Sequence, residues 1–185
     1  MSTGKKSSAL ITPPGIASYA YVWKPQEGLD GGEAKYSVTL IMSKKADLTK
    51  LKEAMKAAAV KKFGPNPNWK KLHSPFKDGD EERENDPMYA GKIFITARSS
   101  TQPRIVDKDL NPITDEFEFY SGAKCRLSVY AYGYDSKGNK GVTFGLNNIQ
   151  KLADGERLSG RRAPEEEFAD ADDDDEDSDD NDFLE

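Results

Sequence analysis

The fold is decided by residues 126–134, which read Arg126-Leu127-Ser128-Val129-Tyr130-Ala131-Tyr132-Gly133-Tyr134. Apolar and polar side chains alternate here with a period of two, which is typical of a half-buried β-strand. One face carries the aliphatic side chains, and the other carries an arginine and three tyrosines. Turn residues follow at 135–139, and the alternation resumes at Val142, Phe144 and Leu146. The stretch up to Gln150 therefore predicts a β-hairpin.

The tyrosine face of this hairpin has two interpretations. Flat rings beside a cation suit stacking on unpaired bases, because every base has a π-face and an attached phosphate. Alternatively, the face is a second buried surface whose hydroxyl groups reach water at the sheet edge. The hairpin alone favours the buried interpretation, and the choice depends on the rest of the chain.

Three further strands are predicted, at Ile16–Trp23, Lys35–Met42 and Lys92–Arg98. The second places its aliphatic side chains and Tyr36 toward the core. The third repeats the hairpin pattern, with cations around an aromatic residue on the face opposite the aliphatic residues: Ile93, Ile95 and Ala97 point one way, and Lys92, Phe94, Thr96 and Arg98 point the other. Shorter strand-like pieces follow at Ile105-Val106 and Glu116–Tyr120.

One amphipathic helix is predicted from about Leu48 to Phe63, between the second and third strands. Apolar residues recur there with a period of 3.6, Asp47 is the expected N-cap, and Gly64-Pro65 ends the run. The polar connection from Asn66 to Tyr89 is long for a compact domain, and connections of this length are usually functional or disordered.

Charge is distributed very unevenly along the chain. Residues 165–185 hold 14 of the 33 acidic residues and none of the 27 basic ones, which leaves 19 acids against 27 bases and a net charge of +8 on residues 1–164. The overall charge of −6 therefore conceals a basic body and a polyanionic tail. The acidic tail lacks the apolar area needed to fold and is expected to be disordered.

These patterns divide the chain into four parts. We predict a flexible segment at 1–15, one β-rich domain at 16–153, a linker at 154–164 and the acidic tail at 165–185. Cys125, the single cysteine, is expected to be a small buried hydrophobic residue. No apolar run is long enough for a membrane span, and the protein is predicted to be cytoplasmic.

Enzymatic and metal sites find little support. His73 is the single histidine and has no nucleophile near it in sequence, and one Cys with one His falls short of the usual Cys and His ligand set of a zinc site. Asp107, Asp109 and Asn111 imitate a calcium loop, but Pro112 stands where that loop requires glycine, so we interpret it as a turn. No cofactor is expected.

Three features point to the same function: the basic body, the aromatic-cation strand faces and the anionic tail. A basic, aromatic-lined sheet binds single-stranded nucleic acid by neutralising phosphates and stacking on bases. A polyanionic tail competes for that surface. Its end, with Asp179, Asp180 and Asp182 before Phe183, suits docking on basic pockets of other proteins.

The sequence resembles the OB-fold single-stranded-DNA-binding proteins of tailed bacteriophages. The resemblance covers about residues 10 to 160 and depends on the order of short matching pieces: Thr12-Pro13-Pro14-Gly15, Ser18-Tyr19-Ala20, Lys35–Leu40, Asp78–Glu81, Tyr89-Ala90-Gly91, Ile95-Thr96-Ala97, Tyr120-Ser121-Gly122 and Leu146–Gln150. It implies a five-stranded Greek-key barrel, DNA binding with little sequence preference, and a role in replication and recombination in the host cytoplasm. Implied partners are a DNA polymerase, a helicase-primase or a nuclease, and homo-oligomerisation is compatible with the family. A simple OB-fold has its helix between strands three and four, whereas the helix predicted here lies between strands two and three.

The sequence therefore predicts a mainly β, non-enzymatic single-stranded-DNA-binding protein with one main helix. Predicted stacking residues are Phe94, Tyr130, Tyr132 and Tyr134, with Trp23 as a weaker candidate; predicted phosphate contacts are Lys92, Arg98 and Arg126; predicted partner contacts are Asp179, Asp180, Asp182 and Phe183. Two alternatives stay open. One is an acidic-tailed interaction protein or chaperone for basic proteins. The other is a metal-dependent nuclease or phosphatase that uses Asp78, Asp80, Asp107 and Asp109.

Overall fold

A computed structural model describes residues 9–28, 32–158, 164 and 168. The chain is mainly β, with one main helix. Its elements follow in the order β1 (Leu10–Ile11), β2 (Gly15–Gln26), β3 (Lys35–Ser43), α1 (Thr49–Phe63), a 3₁₀ helix (Trp69–Lys71), β4 (Lys77–Asp78), α2 (Gly79–Glu82), β5 (Lys92–Ser99), β6 (Arg104–Val106), β7 (Lys124–Ser136) and β8 (Asn139–Ala153).

Five long strands close into a barrel. The neighbours run β2-β3-β5-β8-β7, and β7 pairs again with β2 to complete the ring. The pairing of β5 with β8 is parallel, and the other four are antiparallel. Counted within the barrel, the strand order is 1-2-3-5-4-1, which is the Greek-key order of an OB-fold. The predicted fold class is confirmed, and α1 connects barrel strands two and three, as the sequence predicted.

The barrel core is made by the strand faces that the period-two pattern selected. Leu127 and Val129 of β7 are fully buried, while Tyr132 on the opposite face is 37 % exposed. The face assignment of β7 is therefore confirmed. Further side chains buried in the same cluster come from β3, β5 and β8: Val38, Leu40, Met42, Ile95, Ala97, Phe144, Leu146 and Ile149.

Helix α1 closes one side of the barrel through its apolar face. Leu51, Ala58 and Ala59 are buried, and the two alanines pack with Val142 of β8. At the start of the helix Asp47 accepts hydrogen bonds from the Thr49 backbone N–H at 3.1 Å and from the Thr49 hydroxyl at 2.6 Å. The prediction of Asp47 as the N-cap is wrong by one residue, because Leu48 takes the N-cap position and makes no side-chain capping hydrogen bond. The helix has the predicted length.

The piece at Glu116–Tyr120 is a turn, so its prediction as a strand is wrong. The Asp115 carboxylate accepts the Phe117 N–H at 2.9 Å, and the Asp115 carbonyl accepts the Glu118 N–H at 3.1 Å. Such local hydrogen bonds occupy the donors that a strand would offer to a neighbour. Phe119 is nevertheless buried in the core, although it belongs to the turn.

Both ends of the predicted domain extend further than the sequence indicated. Thr12 exchanges two 2.9 Å hydrogen bonds with Leu127, one through its backbone N–H and one through its hydroxyl oxygen. Leu158 donates its N–H to the Ser121 carbonyl at 2.9 Å. The packed body therefore includes residues predicted to be flexible (10–15) and linker (154–158). Pro164 and Phe168 apart, the rest of the linker and the acidic tail lie outside the described residues, as do Asp179, Asp180, Asp182 and Phe183.

Candidate nucleic-acid interface

Two tyrosines form a ridge on the outer face of the β7–β8 hairpin. The ring centroids of Tyr130 and Tyr132 lie 5.7 Å apart, with 31° between the ring planes. Tyr130 is paired across the ladder with Gly145, and its ring occupies the space that a Cβ at that position would need. The absence of a side chain at Gly145 therefore lets the Tyr130 ring pack directly against the sheet. The rings of Tyr130 and Tyr132 lie beside one another at a tilt.

A groove lies on each side of this tyrosine ridge. One encloses about 500 Å³ and is bordered by Tyr130, Ser128 and Asn148. The other encloses about 550 Å³ and is bordered by Tyr132 and Tyr134. The larger one, called the main groove below, has a mixed polar and aromatic lining: His73, Ser74, Pro75, Lys77, Glu82, Arg83, Phe94, Thr96, Arg98, Tyr132, Tyr134, Asn139, Val142 and Thr143. Open, half-polar grooves beside aromatic rings fit an extended chain better than a compact ligand.

Cations outnumber acids along the main groove. Arg98 reaches it from β5, and Arg83 and Lys77 reach it from the polar connection, whereas Glu82 is the one carboxylate in its lining within the described residues. Arg83 was missed from sequence because it stands in the acidic run Asp80–Glu84, where it looked neutralised. The connection that was predicted to be functional or disordered is folded here and supplies one wall of the groove.

Phe94, a predicted stacking residue, is buried rather than exposed to solvent. It is only 7 % exposed and packs edge-to-face on Tyr89, with the ring centroids 5.0 Å apart. These two rings form a small cluster with Ile41 on the outside of the barrel. The burial leaves little ring surface for a base, because Tyr89 folds back over the face that the sequence assigned to solvent.

Trp23 is placed as a lid on the core. Its indole N–H donates to the Phe119 carbonyl at 2.9 Å, and its ring packs against the buried cluster. It borders a separate cavity of about 700 Å³ with Leu110 and Pro112, away from the tyrosine ridge. This position makes the indole part of the core packing, and it lies apart from the residues proposed to stack on DNA.

The three predicted phosphate contacts are spread along the barrel. Arg98 lies in the main groove. Arg126 lies toward the opposite end of β7, where its Nε donates to the Gln150 side-chain oxygen at 2.6 Å. Lys92 begins β5, opposite Ser43, and does not border the groove. The structure thus brings Arg98, Tyr132 and Tyr134 together and leaves Lys92 and Arg126 apart from them.

The acidic pairs considered for a nuclease are held by internal contacts. The Lys44 ammonium lies 2.8 Å from Asp80 and 3.1 Å from Asp78, and its hydrogen bond lowers the pKa of Asp80. Asp107 accepts the Asn111 backbone N–H at 2.9 Å, which lowers its pKa and closes the predicted turn. Over the described part of the chain, no three His, Cys, Asp or Glu side chains are grouped to hold a metal ion.

Cys125 is buried, as predicted, and its pKa is raised to about 12 by desolvation. The thiol is therefore protonated at neutral pH and is a poor nucleophile. None of the described helices is long and apolar enough to cross a membrane.

Comparison with known proteins places the chain among phage proteins. The sequence model of the family described as "Enterobacter phage Enc34, ssDNA-binding protein" matches residues 10–179. Protein p50 of Acyrthosiphon pisum secondary endosymbiont phage 1 is 28 % identical in an alignment of 166 positions, and the match covers 83 % of this chain and 88 % of p50.

Solved structures show the same fold. The single-stranded DNA-binding protein from bacteriophage Enc34, in complex with ssDNA, matches with a TM-score of 0.74 at 24 % identity, over 83 % of this chain and 91 % of that one. A C-terminal truncation of the Enc34 protein matches with a TM-score of 0.71 at 26 % identity, over 83 % and 90 %. Gp2.5, a single-stranded DNA binding protein encoded by bacteriophage T7, matches with a TM-score of 0.56 at 18 % identity, over 84 % and 97 %.

Proposed function

We infer that this chain, which belongs to the Enterobacter phage Enc34 ssDNA-binding protein family, binds single-stranded DNA without reading its sequence. The family is one of DNA-binding proteins and not of enzymes. The observation that carries the inference is the tyrosine ridge, where Tyr130 and Tyr132 stand between two open grooves. Stacking on such rings tolerates any base, since every base has a π-face.

Phosphates are neutralised by the basic body, and Arg98 is the best placed of the predicted contacts. It lines the same groove as Tyr132 and Tyr134, so a strand stacked on the ridge brings its backbone to the guanidinium. Lys92 and Arg126 lie away from this groove and are proposed as outer contacts, which a longer strand reaches.

The biological role that we propose is the protection of single strands during phage DNA replication and recombination in the host cytoplasm. We propose that the acidic tail, with Asp179, Asp180, Asp182 and Phe183, docks on proteins such as a DNA polymerase, a helicase-primase or a nuclease. A run of acids with an aromatic residue near its end suits a basic pocket with an apolar floor.

We also propose that the tail competes with DNA. Leu158 bonds to Ser121, and the Ser121 hydroxyl accepts the Ala20 N–H at 3.0 Å, so the chain leaves the barrel beside β2. Residues 159–185, fully extended, reach roughly 89–97 Å at ~3.3–3.6 Å per residue, far enough to arrive at the main groove. A tethered polyanion has a high effective concentration at that surface.

Fluorescence anisotropy with labelled oligonucleotides tests the function. Full-length protein should bind single strands more tightly than duplexes, and magnesium should cause no cleavage. The slope of log K against log salt should lie near −0.7 per neutralised phosphate. Arg98→Ala should flatten that slope by about 0.7, and Lys92→Ala and Arg126→Ala should flatten it less. No binding to single strands at 50 mM salt would refute the proposed function.

Removal of residues 165–185 tests the competing tail separately. The truncated protein should bind single strands more tightly than the full chain, most clearly at about 50 mM salt, where the Debye length exceeds ~10 Å. Equal affinities at that salt would refute the competition and leave DNA binding by the ridge untouched.

A further inference from the structure

A second aromatic-cation cluster lies at the far side of the main groove. The Arg83 guanidinium is 5.2 Å from the ring centroid of Tyr19 and 5.6 Å from that of Tyr89. Arg83 also lines the main groove, whereas Tyr19, on β2, is 43 % exposed. Tyr19 does not line the groove itself, but both side chains are exposed, and Arg83 joins the exposed Tyr19 ring to the groove.

The backbone of Tyr19 is held in an unusual conformation. Its φ is +45°, in the left-handed region that favours glycine, and the β2–β3 register shifts between Ser18 and Tyr21. The residues on both sides are fixed: the Ser18 hydroxyl accepts the Tyr89 hydroxyl at 2.9 Å, and the Ala20 N–H bonds to Ser121. The bulge therefore fixes where the Tyr19 ring leaves the sheet.

The backbone of Arg83 is fixed by hydrogen bonds, whereas its side chain is exposed to solvent. Its N–H donates to the Gly79 carbonyl at 3.0 Å, and α2 is anchored because Asp80 binds both Lys44 and the Gly91 N–H. Across residues 9–28 and 32–158, no carboxylate lies within ion-pair distance of its guanidinium. A planar cation that lies on an exposed ring and forms no direct ion pair with a described carboxylate offers both a stacking surface and donors for phosphate.

The strand register connects this cluster with the tyrosine ridge. Tyr132 pairs with Thr143, Phe144 pairs with Ala97 so that Thr143 adjoins Thr96, Thr96 pairs with Thr39, and Thr39 pairs with Ser18. One row across five strands thus begins at Tyr132 and ends beside Tyr19. Four strand spacings of ~4.8 Å make this row roughly 19 Å long.

We propose that Tyr19 and Arg83 form a second contact site for single-stranded DNA, in which a base stacks on the Tyr19–Arg83 pair and a phosphate binds the guanidinium. This proposal rests on the proposed function. The DNA strand then crosses the barrel from the tyrosine ridge to β2, with Arg98 between the two sites. The alternative is that the pair is only a brace for the 77–91 segment.

Tyr19→Gly separates these two roles, because glycine adopts a φ of +45° without strain. In full-length protein we expect an unchanged or raised melting temperature together with an affinity for a 16-nucleotide thymidine oligomer that is ~5- to 150-fold weaker. Tyr19→Phe should bind like the wild type. Tyr21→Ala, which removes a comparably exposed ring from the same strand, is the matched control and should also bind like the wild type.

Arg83 variants test the charge. Arg83→Ala should weaken binding and flatten the salt slope by about 0.7, whereas Arg83→Lys should keep the slope but lose affinity, because lysine lacks the planar face. If Tyr132→Ala weakens binding but Tyr19→Gly binds like the wild type, the second site is refuted and the proposed function stands. If the wild type binds no single-stranded DNA, both are refuted.

Discussion

Replacement of Tyr132 by alanine is the sharpest test of the tyrosine ridge, since this residue is exposed and adjoins both Tyr130 and the main groove. Its side chain is 37 % exposed, and its ring contact with Tyr130 is worth ~0.5–1.5 kcal/mol. We therefore expect Tyr132→Ala to lower the free energy of unfolding by ~1–2 kcal/mol, well below the ~3–5 kcal/mol of a fully buried aromatic residue. The melting temperature should fall by ~2–8 °C at about 2–4 °C per kcal/mol.

DNA binding should suffer more than stability. Loss of one stacked base weakens affinity by ~1–3 kcal/mol, which is roughly a 5- to 150-fold increase in Kd. Anisotropy with a labelled oligonucleotide, measured well below the melting temperature of the variant, gives this number, and thermal unfolding followed by circular dichroism gives the stability. Tyr132→Phe keeps the ring and should keep the affinity.

Leu127→Ala is the control from the opposite face of the same strand. Leu127 is fully buried, so its truncation should reduce the free energy of unfolding by ~2–5 kcal/mol and leave the affinity of the folded protein unchanged. The reasoning is refuted if Tyr132→Ala melts as early as Leu127→Ala while its folded form binds DNA like the wild type.

Three further outcomes are expected. Gly145→Ala should displace the Tyr130 ring, because the new Cβ would collide with its Cζ. The collision is with the far end of a flexible side chain, so the fold should persist while affinity falls roughly fivefold, as ~1 kcal/mol of stacking is lost. Unchanged affinity would show that the position of the Tyr130 ring does not matter for binding. The Cys125 thiol, with its pKa raised to about 12 by burial, should resist iodoacetamide at pH 8 in native protein and react fully in denaturant, as mass spectrometry would show; rapid native labelling would contradict its burial. The Lys44 hydrogen bond lowers the pKa of Asp80, so the stability that the ionised carboxylate contributes is present above the ordinary pKa of 3.8 and is lost as pH falls through the lowered value. Asp80→Asn should therefore be less stable than the wild type in urea at pH 6 and nearly as stable at pH 2. An equal loss of stability at both pH values would exclude the ionic contribution.

Local patterns were sufficient where a single strand or helix decides the outcome. Period-two alternation assigned Leu127 and Val129 to the core and the tyrosines to the outside, because successive side chains of a strand must point to opposite faces. Period 3.6 likewise found α1 and its buried side. The pattern failed at Glu116–Tyr120, where hydrogen bonds from Asp115 make a turn that the hydropathy of the residues does not show.

The sequence by itself determined a mainly β barrel with one helix, an exposed tyrosine face and a basic body separated from an acidic tail, because these are properties of neighbouring residues and of composition. Tertiary structure alone decided which side chains share a site. Phe94 was withdrawn from solvent by Tyr89, Arg126 was separated from Arg98 by its position along β7, and Arg83 entered the main groove from an acidic run. Each of these outcomes depends on strand register or on how a distant connection folds back across the barrel. The spacing of residues along one segment predicts neither the register nor the path of that connection.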